Sequence, residues 1–108
     1  MRQAVVFMNN VPAGVLTEYD DRSFSFRYED NYFVDSSKPA VSLTLPKNKQ
    51  EYVAGAMFPF FYNMISEGAN KEYQAHLFHT DENDNLKILV ESASHDNIGA
   101  ISFKWIEQ

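Results

Sequence analysis

The sequence contains no cysteine. That excludes disulfides, thiolate zinc sites and thiol nucleophiles, and it fits a reducing cytoplasm, where disulfides are rare. Glycine is scarce too. Gly14, Gly55, Gly68 and Gly99 stand apart from one another, so neither a G-x-G-x-x-G loop nor a P-loop can be assembled from them. Long apolar runs are also missing. The run from Ala4 to Met8 ends at Asn9-Asn10 and is too short for the core of a signal peptide. Nothing approaches the roughly 20 apolar residues that span a bilayer, so no membrane partner is expected.

Positive charge is the remaining shortage. Nine Lys and Arg stand against fifteen Asp and Glu, for a formal net charge of −6. Direct nucleic-acid binding calls for a basic patch that displaces counterions from phosphates. Here only Lys47 and Lys49 lie close together, which disfavours nucleic acid and, equally, an anionic membrane surface. What is abundant is aromatic: nine Phe, six Tyr and one Trp in 108 residues. Disordered chains are poor in such residues. The length fits one domain over 1–108 with a modest core of its own.

Along the chain, Ala4 to Met8 has the length of a buried strand, and "NNVPAG" concentrates turn residues, which predicts a hairpin. Val15 and Leu16 open the return strand, and Asp20 to Ser23 form a second turn. In "SFSFRYED" the rings of Phe24, Phe26 and Tyr28 alternate with polar residues, the period of a half-buried strand. Val41, Leu43 and Leu45 alternate in the same way and predict another strand, ended by Pro46. Ile101, Phe103 and Trp105 predict a last one.

"MFPFFYNMISEG" has a different period. At about 100° per residue, Met57, Phe58, Phe61, Met64 and Ile65 share one helical face with Tyr62 at its edge. Ala56, Pro59, Phe60, Asn63 and Glu67 fall opposite. Pro59 is tolerated only in the first turn, so the helix starts near Met57 or Phe58, and Gly68 is a natural C-terminal cap. The first face is core. Phe60 is the surplus ring. A second short helix is predicted over Asn70 to Phe78, with Tyr73 and Leu77 in register. Leu86 to Val90 fits helix or strand, because short apolar runs do not discriminate. "SHDNIG" is read as a turn.

Candidate chemistry is thin. His76 and His79, followed by Asp81, Glu82 and Asp84, resemble a metal cluster on paper, but mixed polar residues after a helix are ordinarily a solvated connection. Asp81, Asn83 and Asn85 are spaced like the first ligands of a calcium loop. Leu86 then stands where Gly is required and Ser92 where a bidentate Glu is required, which rules out an EF-hand. Ser92, Ser94, His95 and Asp96 are neighbours in sequence, yet triads are assembled across a fold, and no G-x-S-x-G elbow is present. No acid, base or nucleophile stands in a recognisable setting. The residues predict a protein that is not an enzyme and needs no cofactor or metal.

Five segments together, "VFMNNVPAGVLTE", "FSFRYEDNYF", "PAVSLTLP", "FPFFYNMISEG" and "SASHDNIGAISF", resemble in that order the N-terminal subdomain of HipA-type toxin kinases. Each is weak alone; five in order over roughly residues 5 to 103 are fairly specific. The resemblance implies an α+β fold: a small antiparallel β-barrel or curved sheet with one or two helices packed against it. In that family a serine/threonine kinase core follows this subdomain, and here the sequence stops soon after Phe103. The chain therefore resembles the free-standing HipS-like component of three-part HipBST toxin–antitoxin systems, which are bacterial. The resemblance implies two partners: a HipT-like kinase, and through that complex a HipB-like DNA-binding protein. The expected role is antitoxin-like restraint of the kinase. The alternative is a structural N-terminal lobe of a split kinase, which assembles the complex without inhibiting. An enzyme built on His76, His79 or His95 is a third reading.

A docking surface built on a buried ring needs an aromatic anchor with polar neighbours. Phe60, Asn63, Ser66 and Glu67 meet that description. At this segment the sequence departs from the family, with Ile65-Ser66-Glu67 where many members have Leu-Pro-Glu/Asp. Without the proline, the helix is free to run on by about a turn.

Overall fold

The computed structural model describes residues 1–65, 86–90 and 101–106. Strand β1 (Arg2–Met8) turns at Asn9-Asn10 into β2 (Val11–Glu18), and β3 (Phe24–Tyr28) follows. Helix α1 (Asp30–Val34) and a long irregular segment lead to β4 (Glu51–Ala54). Then come α2 (Pro59–Ile65), a helical stretch at 86–90 (α3) and β5 (Ile101–Trp105). The strands form one antiparallel sheet in the order β4-β3-β2-β1-β5. Among the described residues it is an open, five-stranded sheet rather than a closed barrel, and with three short helices it makes the α+β fold expected.

Local chemistry explains the turns. Asn9 and Asn10 both have positive φ, 51° and 67°, the left-handed pair that a two-residue hairpin turn requires and that Asn tolerates best among non-glycine residues. The second turn closes where the Tyr19 amide donates to the Ser23 carbonyl and Arg22, at φ 69°, donates back to Tyr19. Between them a bulge interrupts the β1–β2 ladder, so that Val6 faces Gly14 and Phe7 faces Pro12. Pro12, which lacks an N–H, sits beside that bulge, where a missing ladder bond costs least.

One face of the sheet carries the core. Across the strands run Trp105–Ala4–Leu16–Phe26–Tyr52 and Phe103–Val6–Gly14–Tyr28. Ala4, Val6, Leu16, Phe26 and Tyr28 are fully buried there. The other face is mixed: Val5 and Phe7 are half-exposed, and Thr17 and Ser25 are covered by Gln3 and Tyr19, whose side chains hydrogen-bond them at 3.2 and 3.0 Å. The apolar run Ala4 to Met8 is thus not a strand buried on both faces. The described helices cover one face only, and the alternation of burial along β1 follows from that.

Gly14 is fixed by close approach. A Cβ built on it would lie 2.6 Å from the Arg27 carbonyl oxygen and 2.7 Å from Cζ of Phe26. The Phe26 ring occupies the space a side chain at 14 would need, and it meets Tyr28 edge-on at 4.9 Å.

One expectation needs correction. Residues 41–45 form no strand. Val41 and Leu45 are buried, but Leu43 is 99% exposed, because the chain turns there: the Leu45 amide donates to the Ser42 carbonyl, and the Ser42 and Thr44 hydroxyls bond each other. Helix α1 was also missed; five residues are too few for a helical period to show. For Leu86 to Val90 the ambiguity resolves to helix, with Leu86, Ile88, Leu89 and Val90 all buried. Ile and Val are poor helix formers, so burial rather than propensity holds this turn. Gly68, the helix predicted over Asn70 to Phe78, "SHDNIG" and all three histidines lie outside the described residues.

Candidate functional site: helix α2 and the surface around it

Helix α2 begins where proline chemistry dictates. Pro59 takes the first helical position, its absent N–H falling among donors that have no intrahelical acceptor in any case. The Tyr62 amide donates to the Phe58 carbonyl at 2.9 Å, which closes the first turn. Met57, Phe58 and Phe61 are buried, as the helical phasing expects. Phe61 is the hub. Its ring lies 5.8 Å from Phe26, 5.9 Å from Phe103 and 6.3 Å from Phe58, all tilted or edge-on, the arrangement that aromatic quadrupoles favour.

Phe60 is half-buried. It packs against the core cluster, with its ring edge-on to Phe61 at 5.2 Å. Tyr62, placed by the phasing at the edge of the buried face, is among the exposed large side chains at 37%. Asn63 lies in α2, and Ser66 and Glu67 lie outside the described residues.

Beside α2 the core is roofed by residues 35–50, a segment held by side chains rather than by a ladder. The buried Tyr28 hydroxyl accepts from the Val41 amide at 3.1 Å and donates to the Leu45 carbonyl, bridging the two ends of the turn. The Tyr32 hydroxyl donates to the Pro39 carbonyl and the Tyr52 hydroxyl to the Pro46 carbonyl, each at 2.6 Å. Lys47 donates to the carbonyls of Asp35 and Lys38, with its ammonium 5.0 Å from the centre of the Tyr32 ring. The Gln50 side-chain amide reaches the Tyr28 carbonyl and Asp30. None of these contacts was legible as a motif. The only signal was three tyrosines on or near strands, facing a segment rich in Ser, Pro and Lys.

The electrostatics are those of a structural surface. Burial pushes the Tyr28 and Tyr32 phenols above their ordinary range. Hydrogen bonds hold three carboxylates below theirs: Ser23 on Asp21, Gln50 on Asp30 and Ser37 on Asp35. Among the described residues no group of three acidic or imidazole side chains could hold a metal, and no helix is long and apolar enough to cross a membrane.

Comparison with known proteins places this architecture. The sequence pattern of the HipA N-terminal domain family matches residues 4–104. The chain belongs to the HipA N-terminal domain family. A solved structure described as the N-terminal domain of HipA toxin shares the fold, with a TM-score of 0.73 at 24% identity over 100% of this chain and 95% of that one. An uncharacterized protein of Haemophilus influenzae is 27% identical over 104 residues, 96% of this chain and 92% of its own. Membership places the chain among toxin–antitoxin-related proteins, and the domain it matches is an N-terminal one rather than a kinase catalytic domain.

Proposed function

We propose that this HipA N-terminal-type domain is a non-catalytic, antitoxin-like regulator that docks on a separate HipT-like serine/threonine kinase and restrains it in the cytoplasm. A HipB-like DNA-binding protein joins through that complex. The observation that carries the reading is the family match over residues 4–104. The docking surface is α2 and the segment after it, with Phe60 as anchor and Asn63, Ser66 and Glu67 as its polar surround. A ring already held edge-on by Phe61 loses little conformational freedom on binding, which favours an anchor role.

The test is binding of the purified chain to a HipT-like kinase from the same genome. A complex at micromolar concentration, weakened at least about tenfold by Phe60→Ala, is the expected result. No complex at that concentration sinks the proposal.

A second reading has its own support. The fold also occurs as a domain of the HipA toxin itself, so the chain could serve as the N-terminal lobe of a split kinase. Kinase assays separate the two: autophosphorylation and substrate phosphorylation unchanged by this chain favour the lobe, and suppression of either favours the regulator.

A further inference from the structure

The sheet ends, on one side, at β4. The Tyr28 amide donates to the Gln50 carbonyl at 2.8 Å, and the pairing continues in register to Phe26↔Tyr52 and Phe24↔Ala54. In an antiparallel ladder, hydrogen-bonded pairs alternate with pairs that are not bonded to each other. Gln50, Tyr52 and Ala54 therefore direct their amides and carbonyls at β3, whereas Glu51 and Val53 direct theirs outward. Among the described residues these outward groups have no partner. The Val53 side chain is 71% exposed, and a Cβ built on Gly55 would meet nothing within 4 Å.

We propose that this edge pairs with the same edge of a second copy, antiparallel about a two-fold axis at Val53. The choice of occupant comes from the register. With Val53 opposite Val53 of the other copy, two outward-bonding residues face each other and exchange both hydrogen bonds. Tyr52 then falls opposite Ala54 on the core side, an aromatic ring against a small residue, and both side chains already pack on the core from partly exposed positions. Glu51 falls opposite Gly55, where the space is open. A shift by four residues along the partner sets Glu51 against Glu51, and like charges directly opposite are destabilising. The edge is thus self-complementary in one register and self-repelling in another, and two five-stranded sheets join as one. Self-pairing is independent of kinase binding.

Proline offers a clean probe, because the Val53 N–H points away from β3. Val53→Pro removes the outward donor without breaking a bond inside the chain, and Val53→Lys brings two ammonium groups together at the axis. Sedimentation of the purified chain up to about 1 mM, where even weak association is populated, is expected to show a mass rising towards two copies. Either variant is expected to weaken association by at least about tenfold, with circular dichroism and urea unfolding reporting an intact fold. Val53→Thr, still β-branched, is expected to retain it. A chain that stays monomeric throughout, its short charged strand serving as a guarded edge, overturns the proposal. So does a dimer that survives both substitutions. A monomer that loses kinase binding on Val53→Pro also overturns it, and assigns the edge to the kinase instead.

Discussion

Helix α2 and the segment at 35–50 both lie over the aromatic face of the sheet, and different forces hold them there. The helix is fixed by ring packing: Phe61 touches four other phenylalanines and donates no hydrogen bond to any of them. The 35–50 segment contributes just two buried apolar side chains, Val41 and Leu45, and is otherwise tied by tyrosine hydroxyls and Lys47 to its own carbonyls. Packing is non-directional, grows with area and spreads over many partners. Polar ties are directional and few, and each can be cut by removing a single atom. The two coverings should therefore fail differently.

The largest effect belongs to the packed side. Phe61→Ala removes a ring with no exposure at the meeting point of α2, β3 and β5 and leaves a cavity. We expect a loss of about 3–5 kcal/mol in urea unfolding. A loss below about 1 kcal/mol would mean that the neighbouring rings collapse into the space, and the hub description would be wrong.

Next comes the floor on which both coverings rest. Gly14→Ala forces a methyl to within 3 Å of a carbonyl oxygen and of the Phe26 ring. Overpacking of this kind costs about 1–3 kcal/mol. The ring edge can tilt, but the Arg27 carbonyl belongs to the ladder and cannot move alone. Displaced Phe26 ring resonances in an NMR comparison would mark which of the two gave way, and unchanged stability and spectra would refute the close approach.

Tyr28→Phe tests the polar side at comparable or smaller cost. It keeps the ring stacked on Tyr32 at 6.0 Å and deletes one oxygen, which strands the buried Val41 amide and Leu45 carbonyl. The expected loss is about 1–3 kcal/mol, with amide exchange rising at Val41 before α2 is affected. The same hydroxyl sets an alkaline limit. Burial raises the Tyr28 pKa in the fold above its unfolded value of about 10. Its contribution is thus full below pH 10 or so and declines as pH rises through the folded value. The native chain should lose stability above that pH more steeply than the Tyr28→Phe variant. Parallel curves would show that this phenol is not the group responsible.

The contrast also explains what the sequence disclosed. Alternating rings in β3 and β5 and the helical phasing of Met57, Phe58 and Phe61 were legible because packing imposes a period. The Asn9-Asn10 turn was legible because few residues tolerate positive φ. Polar ties impose no period: nothing in the spacing of Tyr28 and Leu45 announces that one donates to the other. For the candidate site, phasing separated Phe60 from the buried face without disclosing that its ring would lean on Phe61.

The sharpest comparison lies within one short stretch. Val41, Leu43 and Leu45 share one alternation, yet the first and last are buried and the middle one is almost fully exposed. A strand would have sent all three to one face. The turn between Ser42 and Leu45, closed by the Ser42–Thr44 hydroxyl contact, instead carries Leu43 outward while the Tyr28 hydroxyl draws both flanks in. Leu43→Ser should therefore change stability by no more than about 0.5 kcal/mol, whereas Leu45→Ala should cost about 2–5 kcal/mol. Equal effects from the two substitutions would mean that 41–45 lies as a strand after all, and that Tyr28 does not hold the turn.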